Sequence, residues 1–228
     1  MPADEAPSAA ELPAPRPGLP RAVEAPLALF GLILGAPFVL LGALAVVASS
    51  RGPLLFRQER VGFRGRRFTL YKLRSMRADP GGLALTSRAD ARVTPVGRWL
   101  RRAKLDELPQ LWNVLRGDMS LVGPRPEVPR YADLADPRWR RVLEARPGIT
   151  DPLTLKLRDE EALMPASEAD RERFYLETLQ PLKLRGYLDY LGRRSWWTDV
   201  QVLFATLASL IRPGRSPDRE EILRSSRL

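Results

Sequence analysis

The chain has 228 residues, is 44% hydrophobic and carries a formal charge of +10 at neutral pH. That suits one folded domain with tails or with a membrane element, and it points to an anionic partner: nucleic acid, anionic lipid or a phosphorylated substrate. Cysteine and histidine are both absent, so disulfides, thiolate metal sites, His-ligated zinc, Ser-His-Asp triads and histidine bases are excluded; any acid, base or nucleophile must be a carboxylate, lysine, hydroxyl or tyrosine.

Residues 1–25 are rich in Pro, Ala and Glu without apolar periodicity, which predicts a disordered tail. They lack the basic start and adjoining apolar segment of a signal peptide. Residues 26–48 (PLALFGLILGAPFVLLGALAVVA) carry no charge, and their length and uniform apolarity predict a membrane-inserted helix over 26–50. Pro37, preceded by Gly35 and Ala36, removes a backbone hydrogen bond near the middle and can bend the helix so that it enters and leaves on one face. A straight crossing is the simpler alternative, since membrane helices tolerate proline. Arg51, Arg57 and Arg60 after the segment, against Arg21 before it, put the main domain on the cytoplasmic side by the positive-inside rule.

Extended stretches around residues 54–57 and 68–73 flank Gly62-Phe-Arg-Gly65, which suits a hairpin connection. Residues 78–93, with Asp-Pro-Gly-Gly, predict a loop. From Arg51 to Lys104 there are fifteen Lys and Arg against Glu59, Asp79 and Asp90, enough to account for the whole charge excess. Thr94-Pro95 then signals a helix start, threonine as cap and proline in the first turn, and that helix carries Arg98, Arg101, Arg102 and Lys104. A second helix is predicted from Asp106, with Leu108, Leu111, Trp112 and Leu115 at helical spacing and Gly117 at its end. Residues 119–122 predict a short extended run into Gly123-Pro-Arg-Pro126. Further helices are expected over 138–145 and 168–179. Tyr187, Tyr190, Trp196 and Trp197 precede an amphipathic run over 200–211 that suits either a membrane headgroup layer or the domain core.

Two places could carry chemistry. Asp106-Glu107 at a helix start is an acidic pair in a basic neighbourhood, with Arg101, Arg102 and Lys104 before it and Arg116 and Arg125 after it. Asp106 could simply cap the helix. The same helix end also favours phosphate, and basic neighbours are expected to lower the aspartate pKa and keep it ionised. An ionised carboxylate can attack phosphorus if cations screen the two anions from one another; the basic stretch, and Mg2+ held by carboxylates and substrate phosphates, could supply that screening. The Gly123-Pro-Arg125-Pro126 turn holds one arginine between two stiff residues, fit either to present a fork to phosphate or to face solvent.

With residues 71–76 (YKLRSM), 96–98 (VGR), 104–127 (KLDELPQLWNVLRGDMSLVGPRPE) and 146–150 (RPGIT), the chain closely resembles the bacterial sugar transferases, the monotopic phosphoglycosyl transferases. The resemblance runs from about the membrane segment to the stretch between Ser195 and Asp199. It implies an α/β fold, mainly helical with a short β-hairpin or sheet, in a monotopic membrane protein whose N-terminal re-entrant helix is broken by proline, at Pro37 here. It divides the chain into a tail over 1–25, the membrane helix over 26–50, a transferase domain over 51–212 and a tail over 213–228.

The implied reaction moves a sugar-1-phosphate from a UDP-sugar to undecaprenyl phosphate at the inner face of the bacterial cytoplasmic membrane, releasing UMP, as the first membrane step of exopolysaccharide, O-antigen or glycoprotein assembly. Asp106 matches the nucleophile that forms a covalent phosphosugar intermediate, and Glu107 the second member of the dyad. Mg2+ is the implied cofactor, near Asp106 and Glu107. Arg101 and Arg125 match phosphate-contacting arginines, and Lys72, Arg74 and Lys104 join them as phosphate-binding candidates. Many relatives continue the 146–150 motif with GWAQVNG, whereas this chain reads DPLTLKLRDEE over 151–161, which leaves the sugar open. With no large multi-helix N-terminal region expected, it reads as a small member. Two rival readings keep the basic stretch without the chemistry: an inactive membrane-tethered scaffold, and a binder of anionic lipid or nucleic acid. The absence of stacking aromatics on a basic face speaks against nucleic acid.

Overall fold

A computed structural model describes residues 12–77, 85–88 and 90–211. Its longest element is α1 (Arg21–Ser49), 29 residues and so about 43 Å of helix. Among the described residues it is the one helix long and apolar enough to cross a membrane. It starts ahead of the uncharged run because two charged side chains tie it to the domain. Arg21 donates to the carbonyls of Leu115 and Met119 at 3.3 and 3.4 Å, and the buried Glu24 carboxylate accepts the Leu121 N–H at 2.9 Å. The tail expected over 1–25 is therefore corrected for its described part. Residues 12–20 run along the domain, with the Arg16 and Leu19 N–H groups bonded to Leu191 O and Asp199 Oδ2, and α1 follows directly.

The helix continues without interruption through Pro26 and Pro37, so the break implied at Pro37 is not a gap in helical structure. Its buried residues, Glu24, Ala28, Gly35, Gly42 and Val46 among them, recur every turn or two on one face. Small residues there allow close approach: a Cβ on Gly42 would meet Leu73 and Leu100 at 3.1 Å. The other faces expose Phe30, Ile33, Leu34, Leu41 and Leu44, the reverse of what water-solvated helices do. The helix therefore lies along the domain from its first residues to its last.

The hairpin forms as expected. Strands β1 (Leu55–Val61) and β2 (Arg67–Leu73) pair antiparallel in the register Gln58 to Leu70. A short turn (Phe63–Gly65) joins them, with Arg64 and Gly65 both at positive φ. Half of the predicted loop lies outside the described residues; its end returns to the segment after β2 through a bridge between Met76 and Val93. Helix α2 (Pro95–Arg102) begins where predicted, the Thr94 hydroxyl accepting the Gly97 N–H at 2.9 Å. α2 presses on the segment after β2 at Gly97, whose added Cβ would fall 1.8 Å from Ser75 O.

Helix α3 (Gln110–Arg116) starts four residues later than predicted, because Lys104 at φ 57° turns the chain into a separate 3-10 turn (Leu105–Glu107). Strands β3 (Ser120–Val122) and β4 (Gly148–Thr150) pair parallel, giving two small two-stranded sheets instead of one. Between them lies α4 (Pro137–Val142), shorter than the predicted 138–145. Helices α5 (Pro152–Lys156) and α6 (Glu160–Leu163) follow, short and unpredicted. α7 (Glu168–Phe174) runs through a π-turn (Tyr175–Leu179) into α8 (Gln180–Arg193), which was also not anticipated. α9 (Trp196–Ile211) closes the described chain, and the predicted C-terminal tail lies outside the described residues.

One buried ionic cluster ties the first and last parts of the chain together. Asp199 is fully buried and accepts from Arg194 at 2.8 Å, from the Tyr190 hydroxyl at 2.6 Å and from the Leu19 N–H at 2.9 Å, while Arg194 also donates to Val122 O at 2.7 Å. Removing one partner of such a cluster strands the other charge without water. Asp199→Ala should therefore lose about 3 to 5 kcal/mol of stability, read by denaturant unfolding of the purified chain in detergent.

Candidate active site

The turn between α2 and α3 delivers the acidic pair into a cleft of about 1720 Å3, larger than the few hundred to 1,000 Å3 usual for one small ligand. Its walls come from the hairpin, α2, the 125–128 segment, the 157–161 segment and the last turn of α9.

Asp106 is buried, 4% exposed, and no hydrogen bond reaches its Oδ1. It does not cap α3, whose first turn has no side-chain cap. Its pKa is raised: burial is the main cause and the charge of Glu107 adds to it, outweighing Lys72, Arg101 and Lys104. The expectation that basic neighbours hold this aspartate low is thereby corrected; burial, which a linear sequence does not display, wins.

Glu107 has the opposite fate. Lys72 Nζ donates to its Oε1 at 3.0 Å; Arg125 holds Oε1 from Nη2 at 2.6 Å and Oε2 from Nη1 at 3.3 Å. Burial alone would push this carboxyl up, but Arg125, Lys72 and Lys104 together keep it well below the usual range. Lys72 in turn is pushed down to about 8, burial being the main cause, with Glu107 opposing. Two adjacent carboxylates are thus driven apart, one kept ionised and one made more basic.

The other predicted phosphate ligands divide. Lys72, Lys104, Arg101 and Arg125 all line the cleft with the pair. Arg101 is braced by Ser75 Oγ on Nε at 3.1 Å and pairs with Glu161 at 2.7 Å. Arg74 also borders the cleft, but its guanidinium is committed elsewhere: it donates to Ser50 O and Pro53 O, each at 2.6 Å, and so closes the carbonyl end of α1.

Four supporting residues were not singled out in the sequence as part of the site. Asn113, fully buried, donates to Thr69 O at 2.7 Å and accepts the Tyr71 N–H at 3.3 Å, locking α3 to β2 beside Lys72. Glu127 ends the Gly-Pro-Arg-Pro turn and is bonded to the Tyr175 hydroxyl, with Arg60 donating to Pro126 O at 2.9 Å. Membership of the 104–127 motif was the one available signal, for Asn113 and Glu127; Tyr175 and Arg60 carried none.

Mg2+ prefers oxygen ligands and commonly takes one or two carboxylates plus substrate phosphates. Among the described residues no group of three acidic side chains gathers to form an all-protein cage. Asp106 fits the commoner arrangement through its unengaged buried oxygen, whereas both Glu107 oxygens are already taken by cations.

The family model for bacterial sugar transferases matches residues 17–213. Over 185 residues the chain is 41% identical to a UDP-glucose:undecaprenyl-phosphate glucose-1-phosphate transferase of Caulobacter vibrioides, covering 78% of this chain and 64% of that protein. A transferase of the same description in Escherichia coli strain K12 is 36% identical over 200 residues, 83% of this chain and 39% of that one. An exopolysaccharide production protein of Rhizobium leguminosarum bv. phaseoli is 35% identical over 208 residues, 86% and 97% of the two chains. The chain therefore spans less than two thirds of the two glucose-1-phosphate transferases.

The Lys72 ammonium should titrate near pH 8 instead of at the 10.5 of a free lysine, as followed by nitrogen-detected NMR. Because Glu107 raises that value, Glu107→Gln should move the midpoint lower still; an upward move would show that the pair does not exist in solution.

Proposed function

We propose that this chain, which belongs to the bacterial sugar transferase family, transfers a sugar-1-phosphate from a UDP-sugar to undecaprenyl phosphate through a covalent intermediate on Asp106. The observation that carries the reading is the buried, unbonded Oδ1 of Asp106, set near Lys72, Arg101 and Lys104 in a basic cleft. In the first step an Asp106 oxygen attacks the sugar-bearing phosphorus, and the bond from that phosphorus to the bridging oxygen breaks. UMP departs with the electron pair. In the second step an oxygen of undecaprenyl phosphate attacks the same phosphorus and the aspartyl bond breaks, giving undecaprenyl-diphosphate sugar and free Asp106.

The raised basicity of Asp106 favours bond formation to phosphorus, while the cations around it permit one anion to meet another. Glu107 remains ionised and bridges Lys72 to Arg125, which makes it an anchor for those cations and a poor proton acceptor. Mg2+, held by Asp106 with substrate phosphates, would neutralise diphosphate charge. Arg125, Arg101 and Lys104 bind and orient the phosphates. The sugar is left to the walls of the cleft; the two glucose-1-phosphate transferases among the relatives favour glucose as the first to try.

The lipid acceptor places the work at a membrane. α1 is the anchor in this reading, with both ends held against the domain and an exposed apolar surface between them. That arrangement suits a re-entrant helix, with the catalytic domain on the cytoplasmic face, better than a stalk that crosses. The cleft wall includes Pro53, just beyond α1, and Leu210 at the end of α9, so the lipid phosphate has an approach between two apolar elements.

Asp106→Asn should reduce UMP release from UDP-glucose to background, a loss of at least about 10^3-fold, with the thermal unfolding midpoint retained; turnover close to that of the parent chain would rule out the nucleophile. Single cysteines before Pro26 and after Arg51 in this cysteine-free chain should both label only from the cytoplasmic side of intact cells, and periplasmic labelling of the first would establish a crossing.

A further inference from the structure

Three consecutive acids line the same basic cleft, and each is held by a cation from a different part of the chain. Asp159 pairs with Arg88 at 3.4 Å, Glu160 with Lys183 at 3.3 Å and Glu161 with Arg101 at 2.7 Å. The Arg88 N–H also donates to Glu161 O at 2.9 Å. These acids form a strap across residues 159–163, whose helix α6 is a single turn secured by one buried side chain, Leu163.

The Arg101 pair matters most, because Arg101 is bonded on two sides. Its Nε side is fixed to Ser75, and Nη2 lies 3.6 Å from Met76 Sδ; both partners belong to the segment leaving β2. Its Nη1 lies 2.7 Å from the Glu161 carboxylate, an ion pair without the alignment of a hydrogen bond. If Glu161 leaves, the guanidinium stays where Ser75 and Met76 hold it, with one face vacated toward the cleft. Glu161 is 39% exposed in its side chain, so it has a route to water, and burial already pushes its carboxyl pKa up, so its charge gains hydration on leaving. An incoming diphosphate brings more negative charge and a planar match to the arginine fork.

We propose that Glu161 occupies the seat on Arg101 that a substrate diphosphate takes, and that binding exchanges one anion for the other and frees the strap. This rests on the phosphate-binding role given to Arg101 above. Glu161 is a positioning residue: it occupies and neutralises Arg101 until substrate arrives. It acts against binding, whereas a merely structural ion pair would support it.

Inorganic diphosphate, titrated calorimetrically into the full chain in nanodiscs, reads the exchange without turnover. Glu161→Gln should tighten its binding about two- to fivefold, the scale of a partly exposed ion pair. In an Arg101→Ala background the same substitution should change nothing. Unchanged or weaker binding in Glu161→Gln overturns the exchange, as does an equal gain without Arg101 or the absence of diphosphate binding by the parent chain. A second readout leaves the strap charges intact. A spin label on Ala162→Cys, unique because the chain has no cysteine, should become more mobile on adding diphosphate; an unaltered spectrum contradicts the release. UMP release from UDP-sugars by the same sample is scored separately, so a missing transferase activity overturns the reaction and leaves the anion exchange to its own result.

Discussion

Arg125 and Lys72 both direct their charge to one carboxylate, Glu107, and the character of the site follows from that choice. Glu107 is made a firm anion, Lys72 a weakened cation, and Asp106, next in the chain, is left buried with an oxygen that nothing bonds. Two like side chains in one turn thereby acquire separate roles, as happens wherever neighbouring titratable groups are driven apart by their surroundings. Without the Glu107 bridge, Lys72 and Arg125 would repel each other across the cleft and Asp106 would face unpaired cations.

The fold exists to hold that turn in place. Lys104 in a left-handed conformation separates it from α2, Asn113 pins α3 to the strand that carries Lys72, and Gly123 and Gly148 let the paired strands β3 and β4 approach closely where the segment bearing Arg125 leaves β3. α1 belongs to the same construction. Arg74, just after β2, donates to Val46 O and Ser50 O at the carbonyl end of α1, so the proposed membrane anchor and the hairpin that lines the cleft are joined by one residue. A lipid headgroup arriving along α1 would meet the cleft without leaving the apolar surface.

Local features were readable from the residues because local physics sets them. Thr94-Pro95 announced α2, Gly62 and Gly65 the hairpin turn, and the uncharged run α1. The 104–127 motif pointed to Asp106, Glu107 and Arg125 before any geometry. What escaped depends on distance along the chain. The direction of the Asp106 pKa is decided by burial. Arg74 looked like a phosphate ligand until Ser50 and Pro53, over twenty residues away, were seen to claim it. The start of α1 was misplaced because Arg21 and Glu24 find partners nearly a hundred residues on. α8 mixes charges with its apolar face, and β4 is three residues long, too short for a period to register.

The central claim is that Asp106, and not its neighbour, bonds to phosphorus. Peptide mass mapping of the chain after brief reaction with a UDP-sugar that supports UMP release, with no lipid acceptor present, tests it most directly. One phosphosugar mass per chain is expected, on Asp106, with one equivalent of UMP released. A modification on Glu107, or UMP released with no modified peptide, would contradict it.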